Sequence, residues 1–195
     1  LSWREFFTPQ TITDKITVYP EWIKAEENVE IPIMIRPGMA FGTGTHETTQ
    51  LALQLLEENL QKDMNILDAG CGAGILTIAA QKLGAGSVDS VEIDAEAETN
   101  FNENLELNHC RGKMIISDAT KLGHYNYDLI VSNIQIGPNT ALLETLQNQN
   151  YHNPIIFTGI LTKEGDEFRK IVSSMDRKIT KEILKNEWMA FLVTK

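Results

Sequence analysis

Three glycines follow an aspartate in the run ILDAGCGAGILTIAA, residues 66–80. An apolar strand is predicted to end at Asp68, and a helix is predicted to begin directly after Gly74. A dinucleotide loop has the spacing G-x-G-x-x-G, whereas Gly70, Gly72 and Gly74 follow G-x-G-x-G. A shorter loop entered by an acidic residue suits a ligand without a pyrophosphate, and S-adenosylmethionine is such a ligand. We therefore predict cofactor contacts at Asp68, Gly70 and Gly72.

Acidic side chains also follow the next two predicted strands. Glu92 lies 22 residues after Gly70, where a carboxylate can accept hydrogen bonds from both ribose hydroxyls of an adenosine group. Asp94 is the competing candidate, although capping of the helix after it is the favoured interpretation. Asp118, in the run SDAT, is predicted to accept a bond from the adenine amine. A turn aspartate is the alternative that the sequence leaves open for Asp118.

An asparagine ends the apolar strand in YDLIVSNI, residues 127–134. The side-chain carbonyl of Asn133 can accept N–H bonds and so orient a nucleophilic amine. The backbone carbonyl of Ile134 is a second candidate acceptor. Methyl transfer mainly requires in-line alignment and exclusion of water, so few side chains need to react. We therefore assign Asn133 both a catalytic and a cofactor-binding role, and we predict no metal site.

The run RPGMAFGTGTHETTQ, residues 36–50, resembles a phosphate-binding loop at first sight. No lysine follows its glycines, so the P-loop pattern fails, and the run precedes the alternating strands. We predict instead a lid-like segment that closes over the cofactor, with contacts from Phe41, Thr43 and Thr49. His46 is predicted to make local hydrogen bonds, and a proton relay or a cavity wall is the alternative.

The elements that must position these residues alternate regularly. From residue 64 to residue 175 the chain alternates apolar strand runs with helical runs, which predicts an α/β fold with a mostly parallel, doubly wound sheet. Two closing strand runs, KITKEILKN and EWMAFLVTK, predict an antiparallel hairpin at one edge. Residues 1–36 are predicted to form a linker or β extension, and residues 37–195 the catalytic domain. Ligands of such sheets bind beyond the carboxyl ends of the strands.

Composition narrows the range of partners. The 195 residues suit one domain with a small appendage, and the net charge of -10 disfavours direct binding of nucleic acid. An acidic surface attracts a basic protein partner, although acidity also serves solubility alone. Cys71 and Cys110 are too few for a disulfide framework, and no apolar run approaches the roughly 18 residues of a membrane span. With no visible signal peptide, we expect a reduced, cytoplasmic setting.

Several sequence runs together resemble the bacterial ribosomal protein L11 methyltransferase family. They are PGMAFGTGTHETT, ILDAGCGAGILTIAAQKLGA, VEID, SNI, TGIL and the terminal EWMAFLVTK. The resemblance covers the chain from about Trp3 to the end, and AFGTGTHETT is its most specific part. It implies the class I S-adenosylmethionine-dependent methyltransferase fold, which is Rossmann-like, with seven strands and an antiparallel edge hairpin. It also implies methylation of protein amines.

By motif position, the family's cofactor contacts fall on Thr49, Gly70, Glu92 and Asn133. The resemblance implies methylation of lysine ε-amines and of the N-terminal α-amine of the ribosomal protein. Two residues differ from the family's pattern. Arg36 stands before PG where members usually have aspartate, and Glu92 ends the second strand where aspartate is common. The family's separate N-terminal recognition domain has no counterpart in these residues, so the resemblance is to the catalytic domain only.

Three other functions remain open from the sequence. The first is a class I methyltransferase with another protein or a small molecule as its substrate. The second is a nicotinamide-dependent oxidoreductase, against which the glycine spacing argues. The third is a module that binds the cofactor and is inactive without its recognition domain. The oligomeric state is not indicated by any sequence pattern.

Overall fold

A computed structural model describes residues 3–38 and 46–195. The helices are α1 (Glu47–Asn59), α2 (Ile75–Lys82), α3 (Glu98–Leu107), α4 (Ile136–Asn148) and α5 (Gly165–Ser174). The strands are β1 (Gln10–Thr11), β2 (Ile16–Pro20), β3 (Ile31–Ile35), β4 (Asn65–Ala69), β5 (Ser87–Glu92), β6 (Met114–Ile116), β7 (Leu129–Asn133), β8 (Ile155–Leu161), β9 (Lys178–Lys185) and β10 (Trp188–Thr194). Short 3-10 helices occupy Trp3–Phe6, Ala95–Ala97, Ala119–Lys121 and Thr162–Glu164.

The main sheet has seven strands in the order β6-β5-β4-β7-β8-β10-β9. The strands from β6 to β8 are parallel, and β10 runs antiparallel to both of its neighbours. The predicted α/β class, the mostly parallel sheet and the antiparallel edge hairpin are therefore confirmed. Strand order reverses between β4 and β7, which is where a doubly wound sheet binds its ligand.

Helices cover both faces of this sheet, which explains why the central strands β4, β7 and β8 are buried along almost their whole length. In β4, Ile66 packs in the cluster that holds α1, α2 and α3, whereas Leu67 and Ala69 pack in the cluster that holds α4 and α5. All three side chains are fully buried. Alternate residues of one strand thus hold helices on opposite sides, and the strand ends are fixed between them.

The N-terminal extension forms a second, three-stranded sheet in the order β1-β2-β3. Its apolar side chains, including those of Ile16, Ile33 and Ile35, belong to the same buried cluster as α1 and α2. The extension therefore packs on the larger sheet through a shared core. The division of the chain at residue 36 stays a prediction.

Arg36, the departure that the sequence left unexplained, joins this extension to α3. Its Nε donates to both carboxylate oxygens of Glu21, at 3.0 and 2.9 Å, and its guanidinium also lies 3.5 Å from Oε1 of Glu103. The hydrogen bond and the charge of Glu21 raise the pKa of Arg36. The arginine therefore ties the end of β3 to the residue after β2 and to α3.

Candidate functional site

Two cavities lie at the carboxyl ends of the strands around the point where strand order reverses. The larger holds about 600 Å³ and the smaller about 300 Å³. The two cavities share four lining residues, which are Gly70, Glu92, Ile134 and Pro138. No lysine or arginine of the described residues lines either cavity. The pair therefore forms one joined site, with acidic rather than basic walls.

The glycine loop needs glycine for two physical reasons. Gly70, Gly72 and Gly74 have φ values of 77°, 48° and 89°, in the left-handed region that side chains disfavour. A Cβ on Gly70 would stand 2.4 Å from Cγ2 of Ile134, and one on Gly74 would stand 2.9 Å from the Phe101 ring. The loop thus passes between α3 and Ile134, the residue after β7, so closely that a Cβ would clash on either side. Gly70 and Gly72 line the larger cavity, as a cofactor contact requires.

Asp68 lies beneath the loop and lines neither cavity. It is fully buried, and its Oδ2 accepts a 2.7 Å bond from Thr77, whose hydroxyl also meets that of Ser90. Burial raises the pKa of Asp68 to about 7, and the nearby Glu92 charge adds to that rise. The predicted direct cofactor contact does not fit this position. A supporting role, in which Asp68 anchors the first turn of α2 under the loop, fits it better.

Glu92 ends β5 and lines both cavities. Its Oε1 accepts a 3.1 Å bond from the Gly72 amide, and Oε2 accepts bonds from the amides of Ile93 and Asp94 at 2.8 and 3.1 Å. These three donors fix the carboxylate; they use both lone-pair sites of Oε2 and one of Oε1, so Oε1 keeps a site for a further bond. The position suits acceptance of a ribose hydroxyl, and the predicted contact with both hydroxyls stays a prediction.

Asp94 and Asp118, the other two aspartates considered as cofactor ligands, both cap 3-10 helices. Asp94 accepts a 2.9 Å bond from the Glu96 amide, so its predicted capping role is confirmed. Asp118 accepts bonds from the amide and hydroxyl of Thr120 at 2.9 and 2.7 Å, and these bonds lower its pKa. Both bonds use Oδ1, and Asp118 lines the smaller cavity. The turn role is therefore present, while Oδ2 remains suited to an adenine amine.

Asn133 ends β7 on the wall of the larger cavity, next to Thr49 in the first turn of α1. Its Nδ2 lies 3.4 Å from the Thr49 hydroxyl, to which it donates. The side-chain carbonyl is then the group left to face an amine. The structure thus brings together Thr49, Gly70, Gly72, Glu92 and Asn133 in one site. Phe41 and Thr43 lie outside the described residues.

His46 caps the amino end of α1. Its Nδ1 accepts a 3.2 Å bond from the Thr48 amide, which confirms the predicted local hydrogen bonding. Its ring also packs edge-on against Trp188, with 5.2 Å between ring centroids, and both residues line the larger cavity. Trp188, at the start of β10, was not predicted from the sequence. The one indication of Trp188 in the sequence was an aromatic residue at the start of the last predicted strand.

Gly159, in the middle of β8, is a second residue that we did not predict. Its φ is 81°, and a Cβ there would stand 1.6 Å from the Ile134 carbonyl oxygen. Since Gly70 presses on Ile134 from another side, the residue after Asn133 is held between two glycines. A glycine inside an apolar strand run was the available signal, because it often marks a close backbone approach.

A buried polar network supports the same edge of the sheet. Asn139 accepts a 2.7 Å bond from the Ser132 hydroxyl and donates a 2.9 Å bond to the Thr158 carbonyl. The Thr158 hydroxyl in turn donates to the Thr48 carbonyl at 3.1 Å. All four residues are buried. The network therefore joins β7, α4, β8 and α1 directly behind Asn133 and Thr49.

The described residues give less support to a reactive cysteine, a metal site or a membrane helix. Cys71 is buried on the cavity wall, and burial raises the pKa of its thiol, so it acts as a space-filling group. Residues 3–38 and 46–195 contain no cluster of three or more histidine, cysteine or acidic side chains that fits a metal ion. In those same ranges no helix is long and apolar enough to cross a bilayer.

The chain is similar in sequence to proteins of one family. The model of the family described as "Ribosomal protein L11 methyltransferase (PrmA)" matches residues 1–195. A protein of that name from Neisseria gonorrhoeae is 38% identical over 168 residues, which is 86% of the chain and 56% of that protein. Another, from Ruminiclostridium cellulolyticum, is 44% identical over 139 residues, which is 68% of the chain and 44% of that protein.

A solved structure is similar over almost the whole chain. It is a ribosomal protein L11 methylase from Lactobacillus delbrueckii subsp. bulgaricus, with a TM-score of 0.89 and 28% identity. The match covers 97% of this chain and 99% of that one. The chain spans about half the length of the curated relatives that it matches.

Proposed function

The chain belongs to the ribosomal protein L11 methyltransferase family, and on that basis we propose that it transfers methyl groups from S-adenosylmethionine to amines of ribosomal protein L11. The observation that carries the proposal is the joined cavity. There the glycine loop, the Glu92 carboxylate and the Asn133 amide meet at the carboxyl edge of three adjacent parallel strands.

The walls of this cavity suit the proposed cofactor. Asp118 lines the smaller cavity and would accept a bond from an adenine amine there, and Glu92 lines both cavities and would accept one from ribose. The carboxylates of Glu92 and Asp94 attract a positively charged ligand and repel a pyrophosphate. A nicotinamide dinucleotide would place two phosphates beside these acids, with no lysine or arginine of the described residues in the lining.

The acceptor amine would enter the larger cavity beside Asn133. Bound S-adenosylmethionine supplies an electrophilic methyl group. The Asn133 side-chain carbonyl would accept an N–H bond from the neutral amine and so direct its lone pair. His46 and Trp188 form a wall of this cavity, where they can exclude water from the reacting amine.

The finer substrate assignment rests on charge and on the family. We assign the acceptors as lysine ε-amines and the N-terminal α-amine, carried by a basic ribosomal protein in the cytoplasm. The net charge of -10 supports a basic protein partner rather than a nucleic acid.

Purified chain, methyl-labelled cofactor and purified L11 test the proposal. We expect label in L11, recovered after hydrolysis as methylated lysine and methylated N-terminal amine. An L11 sample with its amines chemically blocked serves as the matched control and should remain unlabelled. Transfer to another protein or to a small molecule, with none to L11, would contradict the assignment of L11 as the substrate. Cofactor binding without any transfer would identify an inactive binding module.

A further inference from the structure

Helix α3 contacts both the glycine loop and strand β3. A Cβ on Gly74 would stand 2.9 Å from the ring of Phe101 and 3.1 Å from Cδ1 of Leu105, so the loop lies directly on the helix. The same helix also contacts β3. Helix α3 therefore lies against both the loop and the last strand of the N-terminal sheet.

Three asparagines form a stripe along the face of α3 that meets β3. Asn100, Asn104 and Asn108 are spaced four residues apart, and so they share one face of the helix. Asn108 accepts from the Met34 amide at 2.8 Å and donates to the Met34 carbonyl at 2.7 Å. Asn104 accepts from the Arg36 amide at 2.8 Å, and Asn100 donates to the Arg36 carbonyl at 3.0 Å. The stripe thus pairs the free edge of β3 as a neighbouring strand would.

Asn104 differs from its two neighbours because it also bonds the glycine loop. Its Oδ1 accepts from Arg36, while its Nδ2 donates a 2.9 Å bond to the carbonyl of Ala73, between Gly72 and Gly74. The side chain is fully buried. Because water cannot replace either partner at a buried amide, losing one bond leaves an unsatisfied polar group. One amide therefore connects the loop with the end of β3.

We propose that Asn104 is a positioning residue that couples the cofactor loop to the backbone of Arg36. The chain runs from Arg36 to Gly38, whose Cβ position would stand 2.7 Å from Cγ of Asn100, and so it passes directly over the stripe. Ligand on the glycine loop then stiffens the backbone from Arg36 to Gly38. This inference rests on the proposed cofactor site.

The coupling has to act in both directions. If ligand on the loop steadies the bond between Asn104 and Arg36, then steadying that bond strengthens ligand binding by the same factor. The N-terminal sheet therefore contributes to the affinity of the cofactor site, although β3 does not line either cavity.

Hydrogen exchange of the Arg36 amide, followed by NMR, tests the coupling in the wild-type chain. Saturating S-adenosylhomocysteine should slow this amide by about tenfold, the usual scale of coupling between linked sites. The Tyr151 amide, which bonds to the Leu146 carbonyl at the opposite end of the sheet, reports general stabilisation. Equal slowing of both amides, or no slowing at Arg36, would overturn the proposal.

Two variants separate Asn104 from the rest of the stripe. In Asn104→Ala the response of Arg36 exchange to ligand should disappear, and affinity for S-adenosylhomocysteine should fall by a similar factor. In Asn108→Ala, which removes bonds to Met34 and to the Asn104 backbone carbonyl but none to the loop, the Arg36 response and the affinity should stay. A full response in Asn104→Ala would overturn the proposal.

The same samples distinguish this inference from the proposed function. Calorimetry of the wild-type chain shows first whether S-adenosylhomocysteine binds at all. No binding would defeat the cofactor site itself, whereas binding without a change at Arg36 would defeat only the coupling. If Asn104→Ala does not fold, the exchange of the Arg36 and Tyr151 amides in the wild-type chain still tests whether bound ligand is coupled to Arg36.

Discussion

Alanine in place of Gly159 is expected to abolish methyl transfer. The new Cβ would stand 1.6 Å from the Ile134 carbonyl oxygen and 2.7 Å from its carbonyl carbon, at a φ of 81°. Backbone rather than a flexible side chain occupies that space, so β8 must shift away from the residue that follows Asn133. We expect loss of several kcal/mol of folding free energy, since the clash adds to left-handed strain. Thermal unfolding and a methyl-transfer assay measure both effects.

Gly137→Ala is the matched control for this change. Apart from its two chain neighbours, nothing lies within 4 Å of a Cβ at Gly137, and the residue lies in α4. Alanine's higher helix propensity opposes the strain of a Cβ directly before Pro138, so the unfolding temperature should stay close to that of the wild-type chain, with activity kept. If Gly159→Ala matched the wild-type chain in both measurements, the assigned contact between β8 and Ile134 would be wrong.

The second large effect is expected from Asn133→Ala. Removal of the amide takes away the acceptor that orients the nucleophilic amine, and misplacement of about 1 Å can cost about 100-fold in rate. Because its side chain bonds Thr49 rather than the glycine loop, affinity for S-adenosylhomocysteine should fall less than the rate. Steady-state kinetics and calorimetry separate the two quantities.

Asn153→Ala provides the comparison for loss of an asparagine amide elsewhere. Asn153 donates a 2.9 Å bond to the Tyr127 carbonyl at the amino end of β8, away from the cavities. We expect a modest loss of stability and unchanged kcat. An unchanged kcat in Asn133→Ala would remove its catalytic assignment, and equal losses of rate and affinity would make it a cofactor residue.

Local pattern was sufficient for the fold and for part of the site. Strand-helix alternation predicts a parallel sheet because each crossover returns the chain to the same edge, and so it predicted where Gly70, Glu92 and Asn133 meet. Asp68 shows the limit of such reasoning. It belongs to the same strand-end motif, yet its side chain turns to α2 and bonds Thr77 under the loop.

The residues that sequence did not reveal depend on contacts between distant segments. Thr158 meets Thr48 across 110 residues, and Asn104 meets Arg36 across 68. Neither pair has a periodic or local signal, because only the packed tertiary structure brings them together. Arg36 was visible as a departure, but its partners Glu21 and Glu103 were not.

The central claim is that the joined cavity binds S-adenosylmethionine with its ribose on Glu92. Calorimetric titration of the wild-type chain, Glu92→Ala and Asp94→Ala with S-adenosylhomocysteine and with NAD tests this most directly. We predict binding of S-adenosylhomocysteine to the wild-type chain and no binding of NAD. Glu92→Ala should weaken that binding by about 10- to 100-fold, since charge-assisted hydrogen bonds are lost, whereas Asp94→Ala should weaken it far less. Equal affinity in the wild-type chain and Glu92→Ala, or tight binding of NAD, would contradict the account.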